Sequence, residues 1–367
     1  MIAITAAVVR TKGGPWSLEA LELDEPRDDE VLVRIKGVGI CHTDLSIRDQ
    51  YLPLRLPIVL GHEGAGVVER VGARVKELQP GDHVVLAPAS CGACGNCQSG
   101  LQVYCEQFLP LNIGLRRADG SATLRAAEGK VHGAFFGQSS FASHALAKER
   151  NAIKVPRDVP LEILGPLGCG IQAGAGTILN ALRPRAGASL AVFGAGSVGL
   201  SAIMAARLVG CTTIVAVDLK ENRLQLAREL GATHAINNAS SNVVDQIKQL
   251  TAGRGVDFSL DATAVPEVIR QAFDCLATPG VCAVLGLARH GTEVSFDINT
   301  LGNGRTVRGV TEGESVPKAF IPALIELWRQ GRFPFDRLIR SYDFANINQA
   351  AADIASGKTL KPVLLMP

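Results

Sequence analysis

No run of apolar residues in this 367-residue chain reaches the ~20 that a membrane-spanning helix needs, because Gly, Arg or Pro interrupts each one. The opening MIAITAAVVRTKGG lacks the charged start, long apolar stretch and cleavage site of a secretory signal. It reads as a first strand, and the expected location is cytoplasmic. Charge of one sign is also missing: 37 Lys+Arg against 35 Asp+Glu leave +2, with no basic block. That argues against a nucleic-acid partner held by counterion release. Aromatic residues, at 5%, are too few for a base-stacking platform. The 39 Gly and 18 Pro follow no repeating triplet, which excludes a collagen-like fibre. There is no internal repeat and no low-complexity tract. With 47% hydrophobic and 20% charged residues the chain is not a disordered one, and its length suggests more than one domain.

What the chain does have is cysteine, nine of them. In a reducing compartment clustered cysteines more often bind metal or do chemistry than form disulfides. The first half is β-rich. Segments 31–38, 63–71 and 82–86 are β-branched and bounded by Gly, Pro or Asp. After about residue 170 the texture changes. Apolar runs at 189–193, 213–217, 234–236, 256–261, 281–286 and 306–310 alternate with amphipathic stretches such as 221–230 and 266–277. That alternation predicts a doubly wound parallel α/β sheet. A further helix is expected over 317–330, in a tail that returns to the first domain.

Gly194-Ala195-Gly196-Ser197-Val198-Gly199 follows the run 189–193 and opens a helical stretch, the context a dinucleotide fingerprint requires. Gly194 permits the tight turn, Gly196 lets the backbone approach a pyrophosphate, and Gly199 allows close helix–strand packing. Asp218 ends the next strand, where a carboxylate accepts hydrogen bonds from the adenosine ribose and repels a 2′-phosphate. NAD is therefore expected rather than NADP. The plainer alternative is a glycine turn and a strand-end Asp.

Cys91, Cys94, Cys97 and Cys105 are spaced as four thiolates in one loop, which suits a closed, structural zinc site. An iron–sulfur cluster or two disulfides are the competing readings. Cys41, His62-Glu63 and Cys169 each stand in a glycine-rich stretch, and taken singly each reads as a core residue. Cys211, Cys275 and Cys282 fall within the nucleotide-domain pattern and are expected in its core. His83, His132, His144, His234 and His290 carry no partner pattern.

Taken in order, C-H-T-D at 41–44, G-H-E-G at 61–64, the four-cysteine loop, G-C-G at 168–170 and GAGSVG at 194–199 resemble the zinc-dependent medium-chain alcohol dehydrogenases across the whole chain. FFGQSSFA (135–142), LGPLGCGIQ (164–172) and GRFPFDRLI (331–339) look most like the aryl-alcohol (benzyl alcohol) branch, with a monoterpene-alcohol (geraniol-type) branch similar there. The resemblance implies a GroES-like β-rich catalytic domain (1–170 and 313–367, zinc lobe 91–105) and a Rossmann domain (171–312) with strand order 3-2-1-4-5-6. It implies two zinc ions per chain, NAD, a homodimer or homotetramer, and reversible oxidation of a small alcohol to an aldehyde. Benzyl alcohol is the expected type; geraniol and perillyl alcohol are the alternative. A catalytically silent cofactor-binding relative is the less favoured reading, because every catalytic ligand position is intact.

By the same resemblance Cys41, His62 and Cys169 hold the catalytic zinc. Glu63 is an acid that can approach the metal, and Asp44 orients the imidazole. Thr43 takes the alcohol proton. The family histidine that often continues the relay is Ser46 here, a poor base at neutral pH. His42 and Lys361 match contacts to the cofactor pyrophosphate, Arg223 a cation near the adenosine ribose, and Val198, Leu285 and Leu287 apolar neighbours of the nicotinamide. Ala87 is small where some members carry a bulky aromatic. It either leaves room for a ring or prenyl chain or is simply a small strand residue.

Overall fold

The computed structural model describes residues 1–239 and 242–367. Along the chain come strands β1 (Ile2–Val9), β2 (Trp16–Leu23), β3 (Glu30–Gly39), β4 (Ile58–Val59), β5 (Glu63–Val71), β6 (His83–Leu86), β7 (Leu124–Arg125), β8 (His144–Lys148) and β9 (Ala152–Val155). Then follow β10 (Ser189–Phe193), β11 (Thr213–Asp218), β12 (His234–Asn237), β13 (Val256–Asp261), β14 (Leu276–Val284), β15 (Arg305–Gly309), β16 (Ile339–Asp343) and β17 (Lys361–Leu365). Two compact units form: Met1–Cys169 with Val316–Leu324 and Asp336–Pro367, and Gly170–Ser315 with Ile325–Phe335.

The first unit is built on an antiparallel sheet in the order β16-β17-β3-β5-β6-β9, with β8 also paired to β3, and a second sheet β4-β1-β2-β7. β16 and β17 run parallel to each other, so the last residues of the chain complete the sheet that carries β3 and β5. Apolar residues of both sheets, among them Leu32, Ile35, Ile40, Ile58, Phe135 and Phe141, share one core. Helix α1 (His42–Arg48) starts three residues after β3 ends, and α2 (Gly95–Gln98) and α3 (Phe108–Ile113) belong to the cysteine-rich excursion after β6.

The second unit is a parallel sheet in the order β12-β11-β10-β13-β14-β15. Numbered within the unit this is 3-2-1-4-5-6, the doubly wound order that the family resemblance implied. β10 is buried along its whole length, as a strand covered on both faces must be. Helices α4 (Gly170–Gly176), α5 (Ser197–Leu208), α6 (Glu221–Leu230), α7 (Val243–Leu250), α8 (Pro266–Asp274) and α9 (Ile298–Gly302) lie in this segment. One boundary departs from expectation: the helical pattern read over 266–277 ends at Asp274. Leu276 and Ala277 continue the apolar helical spacing by chance, but Leu276 pairs with Val256 and opens β14. Pro279, within the same strand, could not have continued a helix. α10 (Pro317–Arg329) fills the place read as 317–330, and α11 (Ile347–Ser356) precedes β17. Among the described residues no helix is long and apolar enough to cross a membrane.

Candidate metal and dinucleotide sites

The site grows from the junction of β3 and α1. Cys41 is the cap residue of α1, and its backbone N–H donates to Asp44 Oδ2 (3.0 Å), so Asp44 fastens the helix start in the manner of a capping box. The other oxygen of Asp44 accepts from the Gly61 N–H (3.1 Å) and faces His62 Nδ1 (3.1 Å). Asp44 and His62 are both fully buried. One carboxylate thus ties the segment carrying Cys41 to the segment carrying His62 and fixes the imidazole's orientation. Gly61 sits at φ +89, and a Cβ there would lie 2.4 Å from the Phe141 backbone nitrogen, so only glycine fits the turn that delivers His62.

Ligand atoms of Cys41, His62, Glu63 and Cys169 all lie within 4.8 Å of one another. Tetrahedral zinc with bonds of about 2.0–2.3 Å asks for donor separations of about 3.3–3.8 Å, so the widest pair would close by about 1 Å on binding. The surroundings fit a cation as well. His62 Nε2 is buried without a hydrogen-bond partner. A buried orphan of this kind costs about 1–3 kcal/mol, and coordination would remove that cost. The Cys41 thiol is pulled well below its usual range, chiefly by hydrogen bonding with Cys169 and then by Lys361 and His62, against burial. Burial disfavours the imidazolium of His62, yet Asp44 and Cys41 outweigh it and raise its pKa well above the usual value. Two soft thiolates and an imidazole suit zinc, and its binding would release protons. Thr43 Oγ1 stands 3.7 Å from Cys41 Sγ, half-buried at the rim of the cluster.

The ligand atoms of Cys91, Cys94, Cys97 and Cys105 form a second group within the same limit. Cys91 and Cys97 sulfurs are 3.9 Å apart, close to the ~3.8 Å edge of a zinc–thiolate tetrahedron and far beyond the ~2.05 Å of a disulfide. None of the nine cysteines is in a disulfide. Backbone N–H groups of Ala93 (3.4 Å) and Cys94 (3.3 Å) point at Cys91 Sγ and lower its pKa to about 6, whereas burial pushes Cys97 up to about 12. Such opposed thiols in one loop need a cation to be ionised together.

In the second unit the glycine turn follows β10. Gly194 has φ +93, and a Cβ on Gly199 would meet the Gly194 carbonyl oxygen at 1.9 Å. Gly196, by contrast, faces open space, with nothing within 4 Å of a Cβ. That is the cradle a pyrophosphate would fill beside the N-terminus of α5. Val198, half-buried, lies in the first turn of α5. Asp218, at the end of β11, accepts from the Ala195 N–H (2.7 Å) and the Lys220 N–H (2.9 Å). Arg223 Nη1 stands 3.7 Å from its carboxylate. The residues fit a dinucleotide whose ribose hydroxyls meet Asp218.

Other expected contacts are placed differently. Lys361 is 1% exposed, and its ammonium donates to both oxygens of Glu63 (2.7 and 2.9 Å) and to the Ile40 carbonyl (3.3 Å). In this structure its donors are thus directed at groups inside the first unit. The Lys361 pKa is raised by Glu63 and by the Cys41 and Cys169 sulfurs, against burial. His42 is exposed at the first position of α1. Leu285 is half-buried and Leu287 is 52% exposed, so Leu287 does not pack in the core. Ala87 is 2% exposed, with its N–H donated to the Asn151 carbonyl. Cys211, Cys275 and Cys282 are buried, and burial raises all of their pKa values, to about 11 for Cys211 and about 12 for Cys282.

Residue-by-residue sequence reading missed the segment Phe135-Phe136-Gly137-Gln138. The Phe136 ring lies against the His62 ring (centroids 4.7 Å, 31° between planes), and Phe135 meets His62 edge-on at 5.6 Å. Phe108 packs edge-on against Phe136 at 6.3 Å. Gln138 is bonded to the backbone on both sides of Glu63. The available signal was the paired Phe beside Gly137, an unusual concentration in a chain with so few aromatics.

A family model described as "Zinc-binding dehydrogenase" matches residues 197–329, and one described as "Alcohol dehydrogenase GroES-like domain" matches residues 27–157. The chain is 48% identical to a geraniol dehydrogenase of Castellaniella defragrans, covering 99% of this chain and 98% of that one. It superposes with a TM-score of 0.97 on the crystal structure of benzyl alcohol dehydrogenase from Acinetobacter calcoaceticus, at 48% identity and full coverage (100%) of both chains. The same score, 0.97, relates it at 56% identity to an alcohol dehydrogenase zinc-binding domain protein from Burkholderia ambifaria, covering 100% of this chain and 99% of that chain.

Proposed function

Since the chain belongs to the zinc-binding medium-chain alcohol dehydrogenases, we propose that it oxidises aromatic primary alcohols of the benzyl type to aldehydes with NAD, reversibly. The observation that carries the chemistry is the convergence of Cys41, His62 and Cys169 on one buried point with His62 Nε2 left orphaned. Support for an aromatic substrate comes from the half-buried ring pair Phe108–Phe136 beside His62. A benzyl ring would find edge and face partners there. Geraniol-type allylic alcohols are the second reading, favoured by the geraniol dehydrogenase relative. Discrimination between such apolar alcohols is worth only ~1–3 kcal/mol per methylene-sized contact, so the two classes are close competitors.

When bound, zinc supplies a Lewis acid that lowers the pKa of the alcohol, and NAD supplies a hydride acceptor. The chain's own residues do the rest. Asp44 holds the His62 tautomer so that Nε2 faces the cluster. Thr43 Oγ1, beside Cys41, takes the alcohol proton. Ser46 lies one turn further along α1 and can pass that proton on but not store it; with NAD bound, the ribose hydroxyls would offer the next acceptor. Lys361 keeps Glu63 paired, so the buried carboxylate is not left as an uncompensated charge. Asp218, with Arg223 3.7 Å from its carboxylate, would favour NAD by repelling a 2′-phosphate. His42, exposed at the start of α1, offers a pyrophosphate a donor without the bidentate fork of an arginine.

A homo-oligomer is part of the proposal: β15 has no strand on its outer side among the described residues, and the neighbouring α9 exposes Ile298. The test of the function is a panel of benzyl alcohol, geraniol, perillyl alcohol and ethanol, each with NAD and NADP. Highest kcat/KM for benzyl alcohol with NAD is expected. A clear preference for geraniol moves the assignment to the second reading, and no turnover of any alcohol overturns both.

A further inference from the structure

We propose that Gln138 is a positioning residue for the metal ligand His62 and its neighbour Glu63, an inference that rests on the zinc-dehydrogenase reading of that cluster. Gln138 is 4% exposed, and both the nitrogen and the oxygen of its amide are engaged. Nε2 donates to the His62 carbonyl (3.0 Å), while Oε1 accepts from the Gly64 N–H (3.2 Å) and from the Ser140 hydroxyl (2.9 Å). The two backbone partners flank Glu63. One side chain therefore spans the three-residue segment that presents the imidazole and the carboxylate. From the other direction Asp44 grips the Gly61 N–H and His62 Nδ1. The segment is held at both ends, and Gln138 is the hold on the Glu63 side.

The surroundings are shaped for this contact. A Cβ on Gly64 would lie 2.7 Å from Ser140 Cβ and 3.1 Å from Gln138 Oε1, so the glycine opens the niche that admits the amide. The loop presenting Gln138 adopts left-handed backbone at Ala134 (φ 55), Phe136 (φ 51), Gly137 (φ 67) and Ser139 (φ 53). Residues other than glycine stay in that region only where the structure compels them. Here the compulsion is visible. Ser139 Oγ donates to the Val59 carbonyl (2.7 Å) and accepts from the Phe135 N–H (2.9 Å). The backbone N–H groups of Ser140 and Phe141 donate to the Gly61 and Leu60 carbonyls at 2.9 and 3.0 Å. The same loop lays Phe136 against the His62 ring. Hydrogen bonds at both ends of the amide thus fix the side chain.

The experiment compares the zinc-loaded and cobalt-substituted forms of the parent, Gln138→Met, Gln138→Glu and Ser140→Ala. Met keeps length and loses every bond. Glu keeps the oxygen that accepts from Gly64 and Ser140 but, ionised, cannot donate to His62. Ser140→Ala removes only the bond that orients Oε1. In both Gln138 variants one zinc per chain is expected to pass to a chelator at least tenfold faster, the other at the parent rate. The visible cobalt bands should shift, and kcat should fall more than KM changes. Ser140→Ala should move zinc release and spectrum the same way by a smaller amount, and it carries the test if a Gln138 variant does not fold. Parent-like zinc release and cobalt spectra in the folded variants, whatever their melting temperatures, would overturn the proposal. If the parent itself holds zinc only at the four-cysteine loop, the underlying dehydrogenase reading fails instead.

Discussion

Ser46 concentrates the question of how this centre handles protons. A hydroxyl has no titration near neutrality, so the relay contributes no inflection of its own between pH 6 and 8. Ser46→His would add a group with an ordinary pKa of about 6.5 one turn from Thr43. The variant should gain an inflection in kcat/KM near that pH, with the higher activity on the alkaline side where the imidazole is neutral and can accept a proton. A superimposable profile would remove the relay argument. At the cofactor site Asp218 carries the corresponding weight. Asp218→Asn keeps an acceptor for the Ala195 N–H but removes the charge, and should improve kcat/KM with NADP by roughly tenfold, about 1.4 kcal/mol, relative to NAD. An unaltered NAD/NADP ratio would show that the carboxylate does not choose the cofactor. These residues were legible from motif and context. Gln138 and the Lys361–Glu63 pair were not: Lys361 meets Glu63 only after β17 has joined β3, and Gln138 meets the segment 62–64 only once the loop before β8 has bonded to Leu60 and Gly61.

The elements that hold the first unit together rely on a few buried charges. Arg117 forms a bidentate pair with Glu30 (2.9 and 3.0 Å), reaches Asp24 (2.7 Å), and so anchors the excursion between α3 and β8 to the start of β3. Arg117→Met leaves the Glu30 carboxylate, 4% exposed, without its partner. It should cost about 3–5 kcal/mol in denaturant unfolding, with zinc content preserved. A loss under 1 kcal/mol would mean the excursion is held elsewhere. Asp82, 1% exposed in the turn before β6, accepts from Lys154 (2.9 Å) and the Gln79 N–H (3.1 Å), which lower its pKa against the cost of burial. A depressed carboxylate pKa means the stabilisation is present above the unfolded value, near 3.9, and is lost as pH falls through the folded value. The stability gap between parent and Asp82→Asn should therefore be full at pH 6 and close below pH 4; a gap independent of pH would contradict the pairing. At this scale the strands of the parallel sheet were easy to read, since β10 and β11 are almost uninterrupted apolar runs. The boundary at Asp274 was not, because Leu276 satisfies a helix's spacing as well as a strand's pairing.

In the whole molecule a β-rich unit carries both metal-ligating clusters and an α/β unit carries the glycine turn and Asp218. The order of motifs along the chain made both folds legible. What sequence could not supply was the ligand geometry, since Cys41, His62 and Cys169 are united by turns at Gly61 and Gly165 whose close backbone approach has no signature beyond the glycine itself. The most direct measurement is metal content together with alcohol-dependent NAD reduction in the parent and in Cys169→Ala. Two zinc ions per chain in the parent, one in the variant, and oxidation reduced by at least a thousandfold are the predicted result. A variant that retains both ions, or that oxidises alcohol at the parent rate with one, would contradict the assignment of this centre.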